Sequence, residues 1–233
     1  MKTKKNKKKS LIGTRNESSL HRTLKFEYAG PGGKTESQVG EFVADAVNAY
    51  GEYIEVQTGS FGPLKEKVKE LASLGKVRII HPVIVSKIIE AYDKNGSLLY
   101  RRKSPLRGTI WNLFDALIHA PLLPLTKGLV IELAMVETTE KRIKDGKGSW
   151  RRKGVSINDK ELTAWHENYL FKGKADYLCF IPFKKGEEFT VSSLAKEMGI
   201  KIETARKALY VLNKMKLVER IGKKGSAWVY IRI

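Results

Sequence analysis

Apolar positions along the chain switch between a spacing near 3.6 and a spacing of two, and the switch points mark out the elements. Leu20 to Ala29 reads as an amphipathic helix, ended by the glycine-rich break Gly30-Pro31-Gly32-Gly33. From about Gln38 to Val47 the chain alternates, with Val39, Phe42, Ala44, Ala46 and Val47 set among Glu41 and Asp45. The turn Asn48-Ala49-Tyr50-Gly51 leads into a second strand, Glu52 to Thr58, with Ile54 and Val56 on one face and Tyr53, Glu55 and Gln57 on the other. The two runs predict a hairpin. Pro63 then opens a helix to Leu74 with Leu64, Val68 and Leu71 on one stripe, Gly75 closes it, and the apolar strand Val77 to His81 follows. Strand, helix and strand in that order predict a parallel crossover within a mixed sheet.

Further on, Asn95-Gly96 joins Ile88–Tyr92 to Leu98–Arg101 as a type I′ hairpin, and a helix from Thr109 to His119 presents Ile110, Leu113, Phe114 and Leu117 to the core. A long strand, Leu129 to Arg142, turns at Asp145-Gly146, and a helix is expected from about Asp159 to Leu170. Trp150, beside the basic run 151–153, is read as a packing residue ahead of the alternative that it stacks on a base or ribose, and Cys179, in the apolar run Tyr177 to Ile181, as buried and inert. Near the end, Thr190 caps a helix to Met198, Gly199 turns, and a second helix from Ile202 to Lys216 buries Ala205, Ala208, Leu209, Leu212 and Met215. Two strands follow, Leu217–Ile221 and Ala227–Ile233, joined by Gly222-Lys223-Lys224-Gly225-Ser226. The segment LAKEMGIKIETARKALYVLNKMKLVERIGKKGSAWVYI resembles the winged-helix family over its whole length. That resemblance implies DNA contacts from the outer side of the second helix (Lys201, Thr204, Arg206, Lys207, Tyr210) and from the wing lysines Lys223 and Lys224.

Charge strengthens the nucleic-acid expectation. The 233 residues hold 44 Lys+Arg against 25 Asp+Glu, a net +19. Six lysines fall in residues 1–10, read as a disordered polybasic tail, and the remainder still carries +13. Arg101, Arg102, Lys103 and Arg107 form one basic cluster and Arg151, Arg152 and Lys153 another, both read as DNA-backbone contacts. The single cysteine excludes an internal disulfide framework and points to a reducing compartment. With no apolar run near the ~18 residues of a membrane span and no signal-peptide pattern, the expectation is a cytoplasmic protein without a membrane partner. The four histidines are too scattered for a zinc site, and no phosphate-binding glycine loop occurs, so no nucleotide cofactor is expected.

The acidic residues complete the picture. Asp45 and Glu55 stand ten residues apart on paired strands, and Gln57 shares the face of Glu55. Two carboxylates converging across a hairpin suit Mg²⁺ or Mn²⁺, which take oxygen ligands and leave positions open to water and phosphate, and Glu36 is a further acidic ligand candidate. The stretch Asp45–x9–Glu55–x–Gln57, then helix, then strand, resembles the PD-(D/E)XK nuclease superfamily. That resemblance implies Asp45 and Glu55 as metal ligands, Gln57 in place of the usual lysine, and Lys65 or Lys67 reaching back to supply the missing charge. Ala44 stands where the family's proline would be. The chain also resembles uncharacterised prokaryotic proteins with EVQTGSF-like and WRRKG-like segments. The expected fold class is therefore α/β, a restriction-endonuclease-like mixed sheet flanked by helices over 11–172, followed by a winged helix-turn-helix domain over 173–233. The expected function is metal-dependent DNA cleavage of restriction, transposition or defence type, with a noncatalytic DNA-binding regulator as the alternative. DNA is the expected partner, and a homodimer is compatible with this reading.

Overall fold

The computed structural model describes residues 17–233. The expected tail over 1–10 lies outside the described residues. Helix α1 (Ser19–Ala29) is capped by Ser18, and strands β1 (Lys34–Val39) and β2 (Phe42–Val47) form a hairpin. The alternating run expected as one strand is thus broken at Gly40-Glu41, because Gly40, at φ +56°, lets the chain reverse there. Strand β3 (Tyr53–Val56), helix α2 (Lys65–Leu74) and strand β4 (Val77–Tyr92) make the crossover, with Tyr53 opposite Val77 in a parallel pair. β5 (Leu98–Lys103) folds back on the far half of β4, α3 (Leu113–Leu117) follows a 3₁₀ turn, and β6 (Leu129–Lys144) runs parallel to β4.

The expected helix from Asp159 to Leu170 is instead part of a strand, β7 (Val155–Phe171), antiparallel to β6 from Ile131↔Phe171 to Lys144↔Val155. Helix-favouring residues such as Lys160, Glu161 and Leu162 are overruled by the unpaired edge that β6 would otherwise expose. The mixed sheet runs β1-β2-β3-β4-β6-β7, with β5 taking the place beside β4 beyond the end of β3. Helices flank it on both faces. On one, Leu20, Leu24 and Ala29 of α1 pack on Ile54, Val56, Ile80 and Val136. On the other, Val68 and Leu71 of α2 and Leu113, Phe114 and Leu117 of α3 cover Ile79, Ile131 and Leu133.

The remaining chain forms β8 (Glu188–Thr190), α4 (Val191–Glu197), α5 (Ile202–Lys214), β9 (Val218–Lys224) and β10 (Ala227–Arg232). Its three-stranded sheet has the order β8-β10-β9. Thr190 accepts from Ser193 N–H at the head of α4, and α5 buries Ala205, Ala208, Leu209 and Leu212. This unit shares one apolar core with the sheet. Phe180 stands 5.0 Å from Trp111 and 4.7 Å from Phe114, edge-on to both, and lies stacked 5.6 Å from Phe171. Cys179, expected to be buried, is exposed, because in the 3₁₀ segment Lys174–Phe180 it is Tyr177 and Phe180 that turn inward.

Candidate functional site

The site begins where the β2–β3 ladder stops. Only Ala46↔Ile54 and Val47↔Tyr53 pair, and beyond them two acidic side chains take over the hydrogen bonds that backbone would have made. The amide of Val56 donates to Asp45 Oδ2 at 2.8 Å, and the amide of Asp45 to Glu55 Oε1 at 3.4 Å. The strands splay there, and side chains from both faces of the sheet meet in the gap. From α2, Lys67 Nζ lies 2.5 Å from Glu55 Oε2. From α1, His21 Nε2 donates to the Val56 carbonyl at 2.9 Å and sits 3.5 Å from Asp45 Oδ2, while its Nδ1 meets Glu17. The head of α1 is fixed in turn by β7, since Asp159 accepts from the Ser19 amide at 2.8 Å and the Ser19 hydroxyl at 2.5 Å.

Both ring nitrogens of His21 face acceptors, so both must carry protons. Burial works against that charge, but the Asp45 and Glu17 carboxylates outweigh it and raise the imidazole above its ordinary pKa. Burial likewise pushes Asp45 up, yet the hydrogen bonds from His21 and Val56 hold it below the usual carboxylate range. Glu55 behaves oppositely: only 2% exposed, it is pushed up to about 7 by burial and then by the charge of Asp45, with Lys67 opposing. Two neighbouring carboxylates therefore titrate far apart, an arrangement common where acids divide roles. Beside them opens a cleft of about 1330 Å³, lined among others by His21, Asp45, Thr58, Lys67, Pro82 and Asp159, with Glu55 behind that lining. It lies beyond the carboxyl end of β3, over the stretch of β4 between its pairing with β3 and with β5, where Pro82 has no N–H to leave unpaired.

The other expected site residues are placed as follows. Gln57 turns away from the acids, its amide donating to the Ser60 carbonyl at 2.8 Å, and its own carbonyl accepts from His81 Nδ1 at 2.6 Å. The group beside Glu55 is Lys67, while Lys65 is exposed on α2. Glu36 lines the cleft but is held by Lys25 at 3.0 Å, so the expected three-acid set does not assemble. Glu36 also keeps a left-handed backbone, φ +51°, which is strained for a residue with a Cβ. Among the described residues no group of three His, Cys, Asp or Glu is poised around a metal ion. Asp45 and Glu55 alone still offer hard oxygen donors of the kind that hold a largely hydrated Mg²⁺. Glu17, His21 and Lys25 escaped the sequence reading. Their spacing of four, which stacks them along the head of α1, was the available signal.

The basic residues fall in three places. Arg101, Arg102 and Lys103 lie on exposed β5, where Arg101 is paired to Glu90 at 3.1 Å, and Arg107 is exposed just beyond. Arg151, Arg152 and Lys153 sit in the β6–β7 connection beside Trp150, which is 84% exposed rather than packed. In the C-terminal unit Lys201 and Arg206 are exposed and Thr204 is half-buried, but Lys207 is tied to Asp115 of α3 at 2.9 Å and to Glu203 at 3.3 Å. Lys207 therefore belongs to the junction with the sheet. Arg206, Tyr210, Arg220 and Trp228 line a groove of about 240 Å³. Arg220 and Lys223 sit over the Trp228 ring at 3.9 and 4.4 Å, and Lys224 is exposed at the turn.

Comparison with known proteins gives a family without a chemistry. The chain is 26% identical over 219 residues to an uncharacterized protein of Treponema pallidum (strain Nichols), covering 94% of this chain and 86% of that one. No solved structure matches. No helix among the described residues is long and apolar enough to cross a membrane. The family model for a domain of unknown function, DUF8091, matches residues 18–172, the whole of the mixed sheet with the cleft, and the chain belongs to that family.

Proposed function

We propose that the protein is a divalent-cation-dependent DNA endonuclease, of restriction, transposition or defence type, whose sheet is restriction-endonuclease-like and whose C-terminal unit is a DNA-binding winged helix. The observation that carries this reading is the meeting of Asp45, Glu55 and Lys67 where the β2–β3 ladder opens onto the cleft. The order α1, hairpin, β3, α2, β4 supports it, as does the net charge of +19.

Asp45, kept ionised by His21 and the Val56 amide, holds a fixed negative oxygen at the cleft wall. Glu55, titrating near 7, is able to hold or release a proton at working pH. Lys67 lines the cleft with its ammonium on Glu55, and its role in this reading is to donate to a phosphate oxygen or to the water that attacks phosphorus. Asp45 and Glu55 are the residues that would hold a divalent cation, which would supply charge neutralisation to a phosphodiester in the cleft. Plasmid nicking in Mg²⁺ or Mn²⁺ tests the reading: wild type nicks, and Glu55→Ala loses activity by about 10²–10³-fold or more. Equal nicking by both proteins would overturn it.

One observation favours a second reading, a noncatalytic DNA-binding regulator. Lys67 and Lys25 already neutralise Glu55 and Glu36, as they would in a site that no longer holds a cation. This reading expects salt-dependent DNA binding with no nicking under any metal.

A further inference from the structure

We propose that Trp150 is a base-stacking residue, which packs its ring against an unstacked base of a nucleic-acid strand leading out of the cleft. The inference deepens the DNA reading and rests on it. A tryptophan 84% exposed places a large apolar surface in water, which folding alone does not favour. Within its own loop the guanidinium of Arg151 lies 5.7 Å from the ring centre.

The loop is nonetheless built to hold that ring in place. Asp145 accepts from the Ser156 hydroxyl at 2.8 Å and the Lys147 amide at 2.9 Å, and Gly146 N–H donates to the Gly154 carbonyl at 2.9 Å. The Lys153 amide closes the 3₁₀ turn on the Trp150 carbonyl at 3.0 Å, with Lys153 itself left-handed at φ +50°. At Gly148 a Cβ would overlap the Val155 carbonyl, so the closeness of the two arms depends on glycine. An unsupported hairpin end would need none of this.

Charge and location identify the partner. From Lys144 to Lys153 the chain carries five cations and one carboxylate, a composition that suits phosphates on either side of a stacked base and repels a basic protein. The carboxylate is Asp145, already engaged within the loop. Trp150 lies outside the lining of the cleft, but the foot of its loop, Asp145 and Ser156, lines the same cleft as Asp45 and Lys67, so a strand that leaves the acids past this end of the cleft comes to the loop that carries the ring.

The test uses the full chain, a labelled single-stranded oligonucleotide and EDTA, so that no step depends on Glu55 or a metal. Trp150→Ala should weaken binding by about 5- to 150-fold, the range of one lost stacking contact, with the salt slope unchanged because no charge is removed. Trp150→Phe should restore most of the affinity. A 2-aminopurine base in the strand should be quenched by wild type and by Trp150→Phe but not by Trp150→Ala. Equal affinity of Trp150→Ala and wild type, or a Trp150→Phe variant as weak as alanine, would overturn the proposal. A wild type that ignores the oligonucleotide at low salt would also overturn it and assign the ring to a protein partner. If nicking is lost in Glu55→Ala while Trp150→Ala binds normally, this inference alone has failed.

Discussion

The mixed sheet and the C-terminal unit spend their buried positions differently. Every buried polar or charged residue among those described falls between Lys25 and Glu140, and Glu52, Glu55, Glu132 and Glu140 are all there. From β8 onward the interior is apolar throughout, from Phe189 through Leu194, Leu209 and Leu212 to Val229. Burying a carboxylate costs several kcal/mol unless partners offset it, so a fold selected for stability alone would not collect four. Two of them serve as braces: Glu132 is fixed by Tyr28, Arg78 and Asn168, and Glu140 by Lys87 and Arg142. Glu55 differs, because its partners leave it titrating near neutrality beside an open cleft. The contrast separates a region that keeps titratable groups in its interior, one of them beside a cleft, from one whose interior is apolar throughout.

The contrast can be broken at several strengths. Leu212→Ala, in the apolar unit, should cost about 2–5 kcal/mol in denaturant unfolding, with no dependence on pH between 5 and 8. Glu55→Gln should do the reverse. In the wild type, Glu55 has a folded pKa of about 7 against 4.5 for the free side chain, so the folded state binds the extra proton between those values. Its contribution to stability therefore falls as pH rises from about 4.5 to about 7, by on the order of 3 kcal/mol, and stays low above that. The glutamine variant should flatten this decline and unfold later than wild type at pH 8; an unchanged pH profile would refute the assignment. Thr190→Ala, which removes the cap of α4, should lower stability by about 1 kcal/mol. Smallest in stability, Lys223→Ala with Lys224→Ala should leave the thermal midpoint within about 0.5 kcal/mol equivalent. The same pair should nonetheless reduce the slope of log K against log salt for DNA binding by roughly one to two units.

Much of the fold could be read along the chain wherever burial is one-sided. The stripe Leu64, Val68, Leu71 and the inner positions of α5 each match one face of one element, so period alone sufficed. β7 was misread because strand or helix is decided there by β6, its partner in space, rather than by residues 155–171 themselves. Asp45 and Glu55 were visible as acids at hairpin spacing. What brings them together, a ladder that ends after Ala46↔Ile54, leaves no mark in composition. His21 carries a local signal, the spacing of four with Glu17 and Lys25, but its partners Asp45 and Val56 lie 24 and 35 positions away, so nothing local ties it to the acids. Gln57 was assigned a role by its strand face, but β3 ends at Val56, and past that point alternation no longer governs where a side chain goes.

The shared aromatic core has a mechanical consequence. Phe180 wedges among Trp111, Phe114 and Phe171, and Lys207 of α5 is pinned to Asp115 of α3, so the passage from sheet to C-terminal unit is packed side by side instead of strung on a tether. A tether would let a grip on one site and an event at another vary freely in separation. A packed joint converts them into a gauge: whatever α5 holds stands at a set distance from the gap between β2 and β3, and that distance is written in the volumes of four aromatic rings.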